Sequence, residues 1–368
     1  MILMNDFKAE PAELRSAMVA ASLRVFESGW YVLGPEVQAF EARWAQACGI
    51  EHALGVANGL DAIELALRGL EIGPGDEVIT TPMTAFATAL AIIRAGATPV
   101  FADIDPDTAL LSPQSVRRCL SRRTRAVVLV HLYGQVRDME AWVAICADAK
   151  IDLIEDCAQS HLAQWSGQVA GSFGRIGAYS FYPTKNLGAI GDGGAVVTRS
   201  AALAARIGQL RNYGQSERYV HPIAGMNSRL DELQAALLSE RMAWLAAFTD
   251  RRRQIAEAYH GRLSNPAVLP MAAALQPSAH VHHLFAVRCE TRDALQAHLK
   301  SCGVQSLIHY PIPVHAQQPC ADAKRDPQGL PHAERHAVQC LSIPCHPQLT
   351  DQDVDRVVES VNCFVPPR

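Results

Sequence analysis

Through the first half of the chain, short runs that are apolar throughout alternate with longer segments in which apolar residues recur every three or four positions. The runs are "HALGVA", "DEVIT", "TPVFADI", "RAVVLVHLYG" and "IDLIED", with a helical pattern between each pair. Strands that are apolar on both faces belong inside a sheet covered on both sides, and their alternation with helices predicts an α/β fold with a mostly parallel sheet. An amphipathic helix opens the chain and ends near Ser28. From about Asn227 the pattern changes to one long helical region, "SRLDELQAALLSERMAWLAAFTDRRRQIAEAYHGRL", which ends near Asn265 and Pro266. Beyond it come a strand in "HHLFAVRC", a helix from near Thr291, a short strand, proline-rich loops and a closing helix after Thr350. This predicts a large α/β domain over residues 1–240, N-terminal helix included, and a smaller α+β domain over 241–368.

Composition narrows the class of partner. With 368 residues and 49% hydrophobic content the chain can bury a large core. Its 33 positive and 37 negative side chains leave a net charge of −4 with no block of either sign, which argues against nucleic acid or an anionic membrane as a partner and favours a small or polar one. The apolar run Val78 to Ile93 carries no charge but is short and interrupted by Pro82, so no membrane span is expected. Charge within the first ten residues argues against a secretory signal. Ten cysteines without a C-x-x-C pair suggest neither a zinc ribbon nor a disulfide framework, and a reducing cytoplasm is expected. His280 and His282 in "HVHH" share one face of a possible strand but have no acidic or cysteine ligand nearby. Cys345 and His346 in "IPCHP" read as a loop entering the last helix, so no metal is expected at either place.

In open α/β sheets ligands sit beyond the carboxyl ends of the strands. Three such ends carry candidate chemistry. "ANGLDAIELALRGL" places Asn58 as N-cap of a helix whose buried stripe is Leu60, Ile63, Leu67 and Leu70, which leaves free N–H groups suited to an anion. Asp61 in the first turn must then direct its carboxylate elsewhere. "IDLIEDCAQSH" ends in Glu155, Asp156, Gln159 and His161, and Phe86 follows another strand in "TTPMTAFATA". In "SFYPTKNLGAIGDGGAVVT", Lys185 stands between an apolar run and a loop with Gly188, Gly191, Gly193 and Gly194. Each feature alone has a plain explanation: a snorkelling lysine, an ordinary helix cap, an acid at a helix start. Together, an amine to hold an aldehyde, a carboxylate for a pyridine nitrogen, N–H groups for a phosphate and an aromatic face for a ring match the needs of pyridoxal 5'-phosphate.

The chain resembles the DegT/DnrJ/EryC1/StrS sugar aminotransferases through "GWYVLGPEVQAFEARWAQACG", "ANGLDAIELAL", "HLYGQ", "EDCAQSH", "SFYPTKNLGAIGDGGAVVT" and "RNYGQSERYVHPIAGMNSRLDELQAALL". The resemblance implies the aspartate aminotransferase fold (fold type I), pyridoxal phosphate as cofactor and a homodimer with shared active sites. It assigns Lys185 to the cofactor aldehyde, Asp156 to the ring nitrogen, Gln159 to the ring hydroxyl and Phe86 to stacking on the ring. Gly59, Leu60 and Ser180 match phosphate-binding positions, and Asn227 an asparagine that reaches the neighbouring subunit's site. Within the group, "RYVH" and "LIHYPIPVH" resemble enzymes that aminate C3 of dTDP-linked 3-keto-6-deoxyhexoses with L-glutamate, releasing 2-oxoglutarate. That subgroup implies His309, Tyr310 and Tyr182 near the sugar, and Tyr219 and His221 near the nucleotide. Val314 departs from the usual "HYPIPPH". A UDP-linked 3-keto or a 4-keto sugar nucleotide, a dehydratase reaction, and a non-catalytic cofactor-binding regulator remain open alternatives. The retained Lys185 favours transamination.

Overall fold

In the computed structural model, which describes residues 1–367, the apolar runs become the strands of one eight-stranded sheet. In chain order the strands of the protein are β1 (His52–Val56), β2 (Glu77–Thr80), β3 (Thr98–Phe101), β4 (Thr124–Val130), β5 (Asp152–Asp156), the hairpin β6 (Gln164–Trp165) and β7 (Gln168–Val169), β8 (Ile176–Ser180), β9 (Gly194–Thr198), β10 (Leu269–Pro270), β11 (Phe285–Arg288), β12 (Lys324–Arg325) and β13 (Cys340–Ile343). The large sheet has the order β1-β9-β8-β5-β4-β2-β3-β12, and only β9 runs against its neighbours.

Successive residues of one strand enter different cores, as the period of two requires. In β4, Val127 and Leu129 join the cluster built with Phe40, Trp44, Met139 and Trp142 from the helices Pro35–Cys48 and Met139–Ala149. Ala126 and Val128 join the opposite cluster, with Ile63 and Leu67 of the helix Gly59–Gly69 and Ile207 of the helix Ala201–Leu210. A sheet buried on both faces has its functional loops only at its ends, and all the parallel strands deliver theirs to one edge.

The long helix begins at Glu232 rather than near Asn227. Residues before it are extended and already paired, with bridges between Asn212 and Asn227 and between Val32 and Asp231, so tertiary contacts override the helical pattern there. Glu232 then accepts hydrogen bonds from the amides of Gly34 (2.7 Å), Glu36 (2.8 Å) and Val37 (3.0 Å), which caps the helix Pro35–Cys48. Beyond the long helix, β10, β11 and β13 form a small antiparallel sheet. Its core joins Ile255 and Tyr259 of the long helix to Leu295, Val357 and Val361. The last helix, Asp351–Asn362, starts with a capping box between Thr350 and Asp353.

The expected boundary at residue 240 falls inside the continuous helix Glu232–Arg262. The C-terminal residues also return to the large sheet, where β12 pairs with β3 and Lys324 reaches buried Glu77 at 2.7 Å. The sequence pattern did not reveal β12 or the helix Pro331–Gln339, and the "HHLFAVRC" strand shortens to Phe285–Arg288. Among the described residues no helix is long and apolar enough to cross a membrane.

Candidate active site

Lys185 sits just past the end of β8, in a loop closed by backbone hydrogen bonds from Phe181 to Gly193 (2.7 Å), Lys185 to Tyr182 (2.8 Å) and Ala189 to Phe181 (2.7 Å). The turn is so tight that a Cβ on Gly188 would collide with the Pro183 carbonyl, so glycine is needed there. The residue keeps some exposure, but the surroundings of its amine are dry. Desolvation lowers its pKa to about 8, and the Asp156 carboxylate pulls in the opposite direction.

Asp156 ends β5 and is buried. One oxygen accepts from the Thr88 hydroxyl (2.9 Å) and the other from the Ala158 amide (3.1 Å). Burial raises its pKa above the ordinary carboxylate value, against the pull of those hydrogen bonds, Lys185 and His131. Thr88 is itself held by Thr84 at 3.0 Å. It lies two residues after Phe86, the half-buried first residue of the helix Phe86–Arg94, so one helix start supplies both the aromatic and the group that orients Asp156.

The preceding residue does different work. Glu155 accepts from the amides of Gly171, Phe173 and Gly174, each at 2.8 Å, and meets His131 Nε2 at 2.9 Å. With Cys157 it forms a group of metal-ligand types, but its oxygens are filled by protein donors, and burial pushes the Cys157 thiol well up. This is a buried anchor for the 171–174 loop.

Gly59 opens its helix directly against Ser180, where a Cβ would come 2.5 Å from the serine Cβ. This close approach sets the partly exposed Gly59, Leu60 and Ser180 side by side at the sheet edge. Asn58 caps the helix by accepting from the Asp61 amide at 2.8 Å. The Asp61 carboxylate turns to Arg94 on the neighbouring helix, 3.3 Å away, which leaves the helix start without its negative charge.

Gln159 is buried, with its carbonyl oxygen accepting from the Tyr133 amide (2.6 Å) and its amide nitrogen donating to the Tyr310 hydroxyl (3.3 Å). Burial, with Asp156 adding to it, pushes the Tyr310 hydroxyl up to about 12. Burial and nearby Lys185 bring His309 down to about 4, and its Nδ1 lies 2.9 Å from the Ser342 hydroxyl. Both side chains are therefore neutral at ordinary pH. Tyr182, Tyr219 and His221 are exposed. The Arg218 guanidinium lies over the Tyr219 ring, 5.1 Å from its centroid, and His221 Nδ1 donates to the Tyr213 carbonyl at 3.1 Å. Asn227 is exposed in a hollow that Val32, Ala57, Asp192 and Arg229 also line.

Comparison with known proteins gives this geometry a context. The DegT/DnrJ/EryC1/StrS aminotransferase family matches residues 13–362. The chain belongs to that family. A Streptomyces venezuelae protein, dTDP-3-amino-3,4,6-trideoxy-alpha-D-glucose transaminase, is 44% identical over 97% of this chain and 94% of its own. An Acidithiobacillus ferrooxidans UDP-N-acetyl-3-dehydro-alpha-D-glucosamine 3-aminotransferase is 42% identical over 97% of this chain and 96% of its own. The crystal structure of S. venezuelae DesV in complex with a ketimine intermediate superposes with a TM-score of 0.94 at 44% identity, covering 98% of this chain and 97% of that one. As an aminotransferase of the DegT family the protein has an α/β fold and uses pyridoxal 5'-phosphate.

The residues present fit that cofactor. Asp156 is a buried carboxylate that, among the described residues, is met by a hydroxyl and an amide but by no ion pair, and a protonated ring nitrogen would supply the missing positive charge. The Gly59 and Leu60 amides at a helix start freed of Asp61's charge suit a phosphate.

Of the other sequence candidates, the two metal-like pairs fall outside this cluster, and His161 backs it, its Nε2 donating to the Ser180 carbonyl at 3.0 Å. The His280 and His282 rings stack face to face at 3.8 Å, and His280 Nδ1 accepts from the His282 amide, so their lone pairs do not converge on an ion. Cys345 lies in a loop where buried Arg252 donates to its carbonyl and to those of His282 and His283. His161 packs among Trp44, Tyr179 and Phe181, and burial lowers its pKa to about 3. The sequence reading missed Thr88 and Tyr133. Thr88 gives no signal of its own, and Tyr133 lies in the quoted "HLYGQ" without an assigned role.

Proposed function

We propose that the protein is a cytoplasmic, homodimeric aminotransferase that converts a dTDP-linked 3-keto-6-deoxyhexose to the 3-amino sugar, with L-glutamate as donor and 2-oxoglutarate as co-product. The observation that carries this reading is the Lys185–Asp156 pair, built into a chain that is 44% identical, nearly end to end, to a relative named for a dTDP-3-amino sugar.

The cofactor, when bound, supplies an electron sink conjugated to the amino group in transit. Lys185 is the residue that would hold it and then, freed as a neutral amine, move the proton at the donor α-carbon. A pKa of about 8 leaves a useful neutral fraction near pH 7, which an ordinary lysine lacks. Asp156, its oxygens fixed by Thr88 and Ala158, would keep the ring nitrogen protonated. Phe86 would pack on the ring face, Gln159 would address the ring hydroxyl, and Gly59, Leu60 and Ser180 would bind the phosphate. His309 beside the lysine and Tyr310 beside Asp156 are neutral groups that would orient sugar hydroxyls without competing for the lysine's proton. Tyr182 faces the same sugar, and Tyr219 and His221 offer an aromatic face and an imidazole to the nucleotide diphosphate.

The dimer reading is supported by a second apolar face on the helix Ala12–Ser28. Leu14, Met18, Ala21 and Val25 are buried, yet Val19, Leu23 and Phe26 are exposed on the other side, followed by exposed Trp30 and Tyr31. The run leads to Val32 in the hollow that holds Asn227. A second copy would cover this face and bring Asn227 to its neighbour's cofactor.

The deciding experiment supplies glutamate and enzymatically generated dTDP-3-keto-6-deoxyhexoses, with the product identified by mass and NMR. An amine at C3 is the expected result, and a deoxy product would mean a dehydratase. Glutamate turnover on the cofactor without sugar product would move the search to UDP-linked or 4-keto substrates. The 42% identical UDP-sugar relative makes the UDP-linked 3-keto sugar the second reading.

A further inference from the structure

Tyr133 touches Gln159 directly and meets Tyr310 only through the carbonyl of the preceding residue, His309. It sits in the short turn Leu132–Gly134 after β4, buried, with φ of +61°. Its backbone amide donates to the Gln159 carbonyl oxygen at 2.6 Å. Its hydroxyl lies 2.7 Å from the His309 carbonyl and 2.9 Å from His336 Nε2. A carbonyl can only accept, so the single hydroxyl proton goes to His309, and His336 must donate its Nε2–H to the tyrosine oxygen. His309 also meets the Cys340 thiol on the same carbonyl (3.6 Å), the Ser342 hydroxyl on its ring (2.9 Å) and, edge to face, the Tyr310 ring. Residues from the large sheet and from the C-terminal region thus meet on one side chain.

We propose that Tyr133 is a positioning residue for the sugar half of the reaction: its hydroxyl, backed by His336, anchors His309 and so sets Tyr310, while its backbone amide separately sets Gln159. The two functions separate under mutation. Tyr133→Phe removes the hydroxyl and leaves the backbone amide, so Gln159 keeps its orientation and the His309–Tyr310 loop loses its tether. Ser342→Ala loosens the same histidine from the other side.

The inference rests on reading His309 and Tyr310 as sugar-facing. Holoenzyme carrying Tyr133→Phe, Ser342→Ala or Tyr310→Phe would be compared with wild type in three measurements: the visible absorbance of the bound cofactor, single-turnover release of 2-oxoglutarate from glutamate, and KM for the dTDP-3-keto-6-deoxyhexose. The expected result for Tyr133→Phe is a KM for the sugar raised about tenfold, the loss of one well-formed hydrogen bond, with absorbance and the glutamate half changed by less than about twofold. A smaller shift of the same kind is expected for Ser342→Ala, which decides alone by the same pattern if Tyr133→Phe does not fold. Equal losses in both halves, or no change in either, would overturn the positioning role. If Tyr310→Phe also leaves the sugar half untouched, the sugar-facing assignment itself fails. If Tyr310→Phe impairs that half and Tyr133→Phe does not, only the tether is wrong.

Discussion

The lysine cluster and the segment around Tyr219, His221 and Asn227 are built to different standards. Around Lys185 the polar groups are buried or half-buried and answered: Asp156 by Thr88 and Ala158, Gln159 by Tyr133 and Tyr310, His309 by Ser342. Around Tyr219 the side chains stand in solvent and touch mainly their own loop. Preorganised, desolvated groups are what proton transfer and charge stabilisation need, because fixed dipoles in a dry site require no rearrangement during the reaction. A rim that binds a nucleotide, or a second copy of the chain, can be ordered by what it binds, at an entropic cost in affinity. The lysine cluster is thus held in place within one chain, while the rim stands open to solvent.

That contrast sets the expected ranking of mutations. On the proposed roles, Lys185→Ala would remove both the covalent anchor and the base, so turnover should fall by at least about a thousandfold and the visible absorbance of lysine-bound cofactor should vanish. Residual turnover near wild type would remove the central assignment. Asp156→Asn keeps the shape and deletes the charge, and both half-reactions should slow on the order of a hundredfold in single-turnover assays. Equal slowing of the two halves separates this residue from His309 and Tyr310.

Asp156 also tests the electrostatics of the lysine. Only the neutral amine attacks an aldehyde, so the rate at which apoprotein captures pyridoxal phosphate should rise with pH through about 8. Asp156 holds the lysine's pKa up, so Asp156→Asn should move that midpoint to lower pH. A midpoint above 10, the ordinary lysine range, would contradict the desolvated amine.

Effects should shrink toward the rim. Asn227→Ala is expected to cost about tenfold in kcat/KM, the loss of one polar contact to the cofactor. Mixed with Lys185→Ala subunits it should regain activity in hybrid dimers, and verified hybrids without recovery would break the shared site. Tyr219→Ala should raise the sugar nucleotide KM by about two- to fivefold and leave kcat and thermal stability unchanged, since the ring is exposed and packs under Arg218. A loss of stability there would show that the rim is already part of the folded core.

Periodicity alone made the doubly covered sheet, the opening helix and the capped last helix legible, because each is a local repeat whose burial follows from its own residues. The motif runs likewise brought Lys185, Asp156, Gln159, Phe86 and Gly59 forward as a set. What the tertiary structure decided lies between residues far apart in the chain. It distinguished Asp156 in the site from Glu155 holding a loop, although the two are adjacent and chemically alike. It turned Asp61 toward Arg94, recruited Thr88 and Tyr133, and began the long helix at Glu232 instead of Asn227. In each case the outcome depended on a hydrogen-bond or charge partner supplied by another element, and a buried polar group takes the partner that the fold places beside it.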